Sequence, residues 1–249
     1  MCLIALSFAA RPDQPLLLAA NREEAFHRPA LAPHFQPGAP RVICGIDQTA
    51  GGTWLGVNQH GLLVAVTNRP KRLVPLAPRS RGLVCRELLS AQSAAEAHRR
   101  GIEILERDAC AGCNFLCVDA SQGWVIHAGD VLESIALSPG LHLLSNGDLN
   151  DPHDDRLNRV RDAWREELAS EATEFVAWGE QVCSLGPGPA GEPPIVLRKE
   201  GRGTVSSSIV AVTPTASDAL YRHASGPPDL TPYLDFSPVL REVLAADAA

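Results

Sequence analysis

The sequence predicts a layered α/β protein of the α+β type with largely antiparallel sheets. Strand-like runs fill the first 67 residues, helical periodicity follows from about residue 80, and strands then return. A doubly wound fold would require regular alternation of strand and helix, which the pattern lacks. The 249 residues, 45% of them hydrophobic, are enough to bury a sizeable core. We therefore expect one domain over residues 1–249.

The first strands are short and are separated by turn residues. Residues 2–9 and 14–20 are predicted to be two strands joined by a turn that contains Pro12. The polar segment from Asn21 to Pro29 is expected to leave the second strand. Further strands are predicted at residues 41–46, 53–56 and 62–67, with glycine-containing turns between them.

The rest of the chain combines helices with more strands. Apolar residues recur at helical spacing from Ser80 to about Arg107, and Gly101 is expected to divide this region into two helices. A second helical region is predicted from Asp154 to Ser170 and a third over residues 173–184. The remaining predicted elements are strands at 114–119, 123–129, 131–137, 141–145, 207–212 and 219–223, and a short helix near the C-terminus.

Composition excludes some functions and favours one setting. The net charge is -7, which argues against nucleic acid as the main partner. No segment is long and apolar enough to predict an integral membrane span. Seven cysteines without disulfide-like spacing favour a reducing, cytoplasmic location.

Cys2 is the leading candidate for the functional centre. If Met1 is removed, this residue carries both a thiol and the free α-amine, with ordinary pKa values of about 8.5 and roughly 7.7–8.0. The neutral amine can take the proton of the thiol, so the thiolate can attack an amide or ester carbonyl. The alternative interpretation is a small hydrophobic residue buried in a strand.

Several motifs around and beyond Cys2 occur in a characteristic order. They comprise Met1-Cys2-Leu3-Ile4, Asn21-Arg22-Glu23-Glu24, Gly45-Ile46-Asp47, Gly51-Gly52-Thr53-Trp54-Leu55-Gly56, Thr67-Asn68, Asn114-Phe115-Leu116 and Leu144-Ser145-Asn146-Gly147. With these motifs the chain resembles the NRDE family, which is the family of the transport and Golgi organisation protein 2. The resemblance spans most of the sequence and is most specific in the first seventy residues.

The family is in turn similar to the N-terminal-nucleophile (Ntn) hydrolases, whose cysteine branch includes bile-salt and penicillin V acylases. That similarity implies an αββα sandwich of two antiparallel sheets between helical layers. The similarity implies that Cys2 is the nucleophile, that Arg22 stabilises its thiolate, and that Glu23 or Glu24 binds the α-amine. It further implies that Asn68 and Asn146 are oxyanion donors. The substrate would be bound by Asn21, Trp54 and Arg69.

Two positions depart from the family pattern. Glu23 stands where the name-giving tetrad has aspartate, and Val205 stands where many relatives have arginine. Simpler structural roles are also open for the other candidates. Asn21 is a good turn former, Arg22 could join a surface ion pair, and Trp54 could anchor the core.

Other chemistry-bearing patterns are weak. Cys110 and Cys113 have CxxC spacing with Cys117 beyond, but the second ligand pair that a zinc site needs is missing, so core packing is favoured. No metal or cofactor is therefore expected. Two functions remain: a hydrolase that cleaves a non-peptide amide or acyl bond of a small-molecule substrate, or a protein that binds or traffics an apolar ligand such as haem, a lipid or acyl-CoA. The sequence leaves the oligomeric state open.

Overall fold

The computed structural model describes residues 2–245, which divide into two compact units. One unit contains the described residues up to Arg28 together with 139–237, and the second contains residues 29–138 with the described residues from Pro238 onward. The strands are β1 Leu3–Arg11, β2 Gln14–Ala25, β3 Ala30–Gln36, β4 Val42–Asp47, β5 Leu55–Asn58, β6 Leu63–Asn68, β7 Cys113–Val118, β8 Gly123–Ala128, β9 Leu132–Ala136, β10 Gly140–Leu144, β11 Arg198–Lys199, β12 Arg202–Val212, β13 Leu220–Ala224 and β14 Leu234–Asp235. The α-helices are α1 Arg81–Leu88, α2 Ala94–Arg107, α3 Asp155–Ala163, α4 Ala172–Cys183 and α5 Ser237–Leu244.

The sheet of the first unit is antiparallel and runs in the order β10-β1-β2-β12-β13-β14, with β11 paired to β12. One face of this sheet packs against α3 and α4. Each leucine, isoleucine or phenylalanine fully buried there contributes roughly 1.5–3 kcal/mol. The packed residues include Leu3, Leu17, Ala19 and Ile209 from the strands and Leu157, Val160, Phe175 and Val182 from the helices.

The sheet of the second unit is an antiparallel meander in which each strand from β3 to β9 pairs with the next along the chain. Its core lies between the sheet and the helices α1 and α2. The core residues include Val64, Phe115 and Ile126 from the strands and Val84, Leu88, Ala97 and Ile104 from the helices. Two antiparallel sheets with helices packed on them confirm the mixed α+β class predicted from the sequence.

The first helical region divides at a different place from the one predicted. The break falls at residues 89–93, and Ser93 caps α2 by accepting a hydrogen bond from the Glu96 backbone. Gly101 lies inside α2, because a Cβ at that position would come within 2.7 Å of Ile126 Cδ1 and only glycine lets helix and sheet approach so closely. The proposed division at Gly101 was therefore wrong.

Two further expectations need correction. β2 continues to Ala25, so the polar residues from Asn21 onward remain in the strand, because β12 begins at Arg202 and pairs with them. Helix α3 ends at Ala163 rather than Ser170, since Trp164 turns away and packs edge-on against Trp178. Strands β3, β11 and β14 were not predicted from the sequence. The presence of one domain over residues 1–249 stays a prediction.

Candidate active site

Cys2 immediately precedes β1 and is partly exposed. Its backbone nitrogen donates a hydrogen bond of 3.1 Å to Oδ1 of Asn146. The bond forms because β10 pairs with β1, with Ile4 opposite Leu144, so the turn that follows β10 returns to the start of β1. Ser145 in the same turn donates to Oδ2 of Asp154 at 2.6 Å, which ties this turn to the beginning of α3.

Arg22 lies on the strand next to Cys2. Leu3 is opposite Asn21 in the β1–β2 pair, and continuing that register by one residue places Cys2 beside Arg22. Burial raises the pKa of the Cys2 thiol, and the carboxylate of Glu23 raises it further, while the positive charge of Arg22 lowers it. Arg22 therefore acts in the direction that favours thiolate, although burial has the larger effect.

Glu23 points to the opposite face of the sheet and is almost fully buried. Its Oε1 accepts a hydrogen bond of 2.5 Å from Nη2 of Arg156 in α3. Burial raises the pKa of the Glu23 carboxyl, and the charge of Arg156 opposes that rise. The two side chains form a buried ion pair on the helix-covered face, directly behind Arg22.

Arg156 is itself held firmly and had no role in the sequence analysis. The Asp154 side chain caps α3 by accepting from the backbone nitrogens of Arg156 and Leu157. The guanidinium also donates to the backbone oxygens of Pro194 and Ile195. In the sequence, Arg156 appears only as a basic residue in the first turn of a predicted helix. Basic residues are too common in that position to identify Arg156 as the partner of Glu23.

Glu24 and Asn21 have different surroundings. Glu24 Oε1 accepts from the Ala25 backbone nitrogen, and its Oε2 lies 3.9 Å from Arg28, so this carboxylate is engaged at the far end of β2. Asn21 is buried, and its Nδ2 donates to the backbone oxygens of Cys183 and Ile195. The substrate-binding role of Asn21 stays a prediction, and these contacts fit a structural role.

The remaining predicted site residues belong to the second unit. Asn68 ends β6, where it pairs with Cys113 of β7. The Trp54 ring lies against Gly45, whose Cβ, if present, would be 2.5 Å from Cη2. Nη1 of Arg69 lies 3.4 Å from Oδ1 of Asn114. The roles of Asn68, Trp54 and Arg69 in catalysis or substrate binding stay predictions.

A second buried polar pair lies in the first unit and was not anticipated. Ser208 on β12 is bonded to Nδ1 of His223 on β13 at 2.9 Å, and both residues are almost fully buried. Burial lowers the pKa of His223 to about 4, and the positive charge of Arg22 lowers it further. The scattered histidines gave no sequence signal for this pair, which depends on the β12–β13 register.

The other six cysteines are all buried and free. Cys110, Cys113 and Cys117 belong to the core of the second unit, as their sequence context favoured. Burial raises the pKa of Cys113 and of Cys117 to about 12.

Among the described residues, no group of three or more His, Cys, Asp or Glu side chains is arranged to hold a metal ion. No helix in the described part of the chain has the length and apolar character to span a bilayer.

Comparison with solved structures identifies the class of fold. The chain is similar to a mutant of conjugated bile acid hydrolase from Clostridium perfringens, with a TM-score of 0.58, 13% identity and coverage of 96% of this chain and 93% of that one. It is also similar to the N-acylethanolamine-hydrolyzing acid amidase ortholog of Caenorhabditis elegans, with a TM-score of 0.54, 13% identity and coverage of 98% of both chains. The fold is therefore that of the Ntn hydrolases.

The family follows from the sequence comparison. The family model for Transport and Golgi organisation 2 matches residues 1–178, and the chain belongs to this family. Transport and Golgi organization 2 homologs from Bos taurus and Homo sapiens are 32% and 30% identical to it over 168 residues. The aligned region covers 61% of this chain and 59% of either relative, so the chain matches about three fifths of their length.

Proposed function

We propose that the chain is an N-terminal-cysteine hydrolase that cleaves a non-peptide amide or related acyl bond through a thioester on Cys2. One observation supports this most strongly: Cys2 is the one described cysteine with solvent access, and it lies beside Arg22 with its nitrogen bonded to Asn146. The name of one solved protein with this fold, an acid amidase, agrees with an amide substrate.

The reaction needs two steps. The α-amine of Cys2, exposed by removal of Met1, takes the thiol proton, and Sγ attacks the carbonyl carbon. The amide C–N bond breaks, the leaving amine takes the proton, and the acyl group stays on Cys2 as a thioester. Water activated by the same amine then attacks the thioester, which releases the acid and restores the thiol. The Nδ2 donors of Asn146 would bind the oxyanion.

The buried pair of Glu23 and Arg156 supports the geometry of this site. Glu23 follows Arg22 in β2, and the pair ties that strand to α3. Glu23 is a better candidate than Glu24 for holding the α-amine, because its charge acts on Cys2 whereas Glu24 is engaged at the far end of β2. A reducing compartment such as the cytoplasm would keep the seven thiols free.

The test combines intact mass with acyl trapping. The purified protein should lack Met1, and incubation with a panel of N-acyl anilides should produce one acyl adduct, on Cys2, that hydroxylamine removes. The Cys2→Ala variant should fold and should neither form the adduct nor release aniline. Retention of Met1, or unchanged turnover by Cys2→Ala, would overturn the proposal.

A non-catalytic protein that binds an apolar ligand is the second candidate function. A cleft of about 500 Å³ in the first unit has Leu141 and Trp164 among its apolar lining residues and Arg11 and Glu166 among its charged ones. This combination suits an amphipathic ligand such as a lipid or acyl-CoA. In native mass spectrometry, a co-purifying ligand that is lost in Leu141→Arg, without turnover by the wild-type protein, would favour this function.

A further inference from the structure

Strand β12 contains a bulge of one residue next to the candidate site. Thr204 is opposite Glu23, whereas Ser206 is opposite Arg22, so β12 advances two residues while β2 advances one. Val205 is the extra residue. Bulges of this kind change the direction in which the following side chains point.

The bulge decides which face of the sheet Ser206 occupies. Residues directly opposite each other on paired strands share a face, so Thr204 shares the helix-covered face with Glu23 and Ser206 shares the other face with Arg22. Without the bulge, Val205 would lie beside Arg22 and Ser206 would turn toward the helices. Val205, as the extra residue, therefore shifts the next residue, a serine, to the position beside Arg22.

Ser206 has an unusual environment for a hydroxyl group. Its side chain is only 6% exposed, and its Oγ has no hydrogen-bond partner among residues 2–245. By contrast, Ser208, two residues along β12 on the same face, is bonded to His223. A buried hydroxyl without a partner costs free energy, so it calls for an external partner such as a ligand.

Cys2, Arg22 and Ser206 form a row across three neighbouring strands. Adjacent strands are about 4.8 Å apart, so Ser206 lies about 10 Å from Cys2 with Arg22 between them. A guanidinium next to a hydroxyl donor matches an anionic oxygen acceptor.

We propose, on the basis of the proposed hydrolase function, that Ser206 and Arg22 together bind an anionic oxygen of the substrate, so that the enzyme prefers amides bearing an acidic group. Arg22 supplies the charge, and the Ser206 hydroxyl supplies a hydrogen bond that a carboxylate accepts. Ser206 is then a specificity-determining residue for the reaction at Cys2.

Three matched substrates test this assignment and locate the acid. N-pentanoylaniline is neutral, N-glutarylaniline carries the acid on the acyl part, and N-pentanoyl-4-aminobenzoate carries it on the amine part. For the wild-type protein, kcat/KM for one of the two acids should exceed that for the neutral amide on the order of tenfold. Ser206→Ala should remove this preference, mainly by raising KM for the acidic substrate.

Ser7→Ala is the matched control. Ser7 Oγ is also buried without a partner in the described part of the chain, but it lies in β1, away from the row. Ser7→Ala should retain the preference for the acid. A preference that survives in Ser206→Ala, or an equal loss on all three substrates, would show that Ser206 has no such role. Absence of any Cys2 adduct in the wild-type protein would instead overturn the hydrolase function, and the role of Ser206 with it.

Discussion

Asn146 accepts a hydrogen bond from the backbone nitrogen of Cys2 across a distance of 3.1 Å. This contact uses the oxygen of the Asn146 amide, and the nitrogen of the same amide carries the donors that an oxyanion requires. One side chain can therefore orient Cys2 and, in the proposed reaction, bind the developing negative charge.

Two substitutions of Asn146 test its proposed effects on the oxyanion and on the α-amine. Asn146→Ala should lower the rate of Cys2 acylation by about 10²–10³, as expected for loss of an oxyanion donor. Asn146→Asp should also move the alkaline-rising limb of the pH–rate profile to higher pH, because a carboxylate beside the α-amine stabilises its charged form and raises its pKa. Gln48→Glu adds the same charge at an exposed position, where solvent and salt screen it, and should leave the profile unchanged. An unshifted profile in Asn146→Asp would show that this side chain does not affect the titrating amine.

Iodoacetamide should modify Cys2 before the other cysteines. The other six thiols are buried, and burial raises the pKa of Cys44 to about 11 and that of Cys183 to about 12, so they present little thiolate. Peptide mapping after brief labelling of the native protein should find one carbamidomethyl group, on Cys2. Labelling spread evenly over several cysteines would contradict this accessibility pattern.

The ion pair of Glu23 and Arg156 should be costly to break. Arg156→Ala leaves a buried carboxylate without its main partner and should lower the free energy of unfolding by about 3–5 kcal/mol. Combining it with Glu23→Gln should recover part of that loss. Arg99→Ala removes an exposed ion pair with Glu103 and should cost less than about 0.5 kcal/mol. Urea unfolding of the wild-type protein and the three variants measures these free energies. An equal loss of stability in Arg156→Ala and Arg99→Ala would refute the buried ion pair.

His223 should reduce stability in mild acid. Its pKa is about 4 in the folded state and about 6.5 when unfolded, so between these values the unfolded chain binds the additional proton. Stability should therefore be intact above pH 6.5 and fall as the pH drops toward 4, by up to about 3 kcal/mol. His223→Gln should flatten this part of the profile, while the exposed His60→Gln should retain it. Unfolding free energies measured across this pH range provide the test.

Gly52 should be essential for packing in the second unit. A Cβ at this position would come within 2.2 Å of the backbone carbon of Gly82, so Gly52→Ala must displace the start of α1 and should cost at least about 2 kcal/mol. Gly186→Ala has open space around the new methyl group and should be neutral. Thermal unfolding of both variants distinguishes a close approach from a general effect of losing glycine.

Local sequence patterns predicted the elements well where pairing partners are close in the chain. The strands of the meander from β4 to β8 follow from the pattern of short strands and turns, and the helical character of residues 80–107 follows from its periodicity, although the place where it divides does not. The extension of β2 to Ala25 could not be predicted this way, because residues 21–25 are polar and their strand is completed by β12, about 180 residues later.

For the candidate site, too, local sequence patterns do not reveal contacts between residues far apart in the chain. Motifs predicted Cys2, Arg22 and Asn146 as site residues, and strand register brings Arg22 and Asn146 to Cys2. The sequence did not indicate Arg156, the partner of Glu23, or Ser206, whose role is proposed above, because both depend on long-range contacts. Arg156 matters through Glu23, 133 positions away, and Ser206 through a bulge that no local pattern marks.

The strand order also implies a sequence of folding events. Residues 29–138 can form the whole meander as they emerge from the ribosome, since every strand there pairs with its predecessor. The hairpin of β1 and β2 must wait with open edges until β10 and β12 have been made. During synthesis, the sheet that carries Cys2 is therefore completed after the meander, and any C-terminal truncation that removes β12 should leave the thiol next to an unprotected sheet edge.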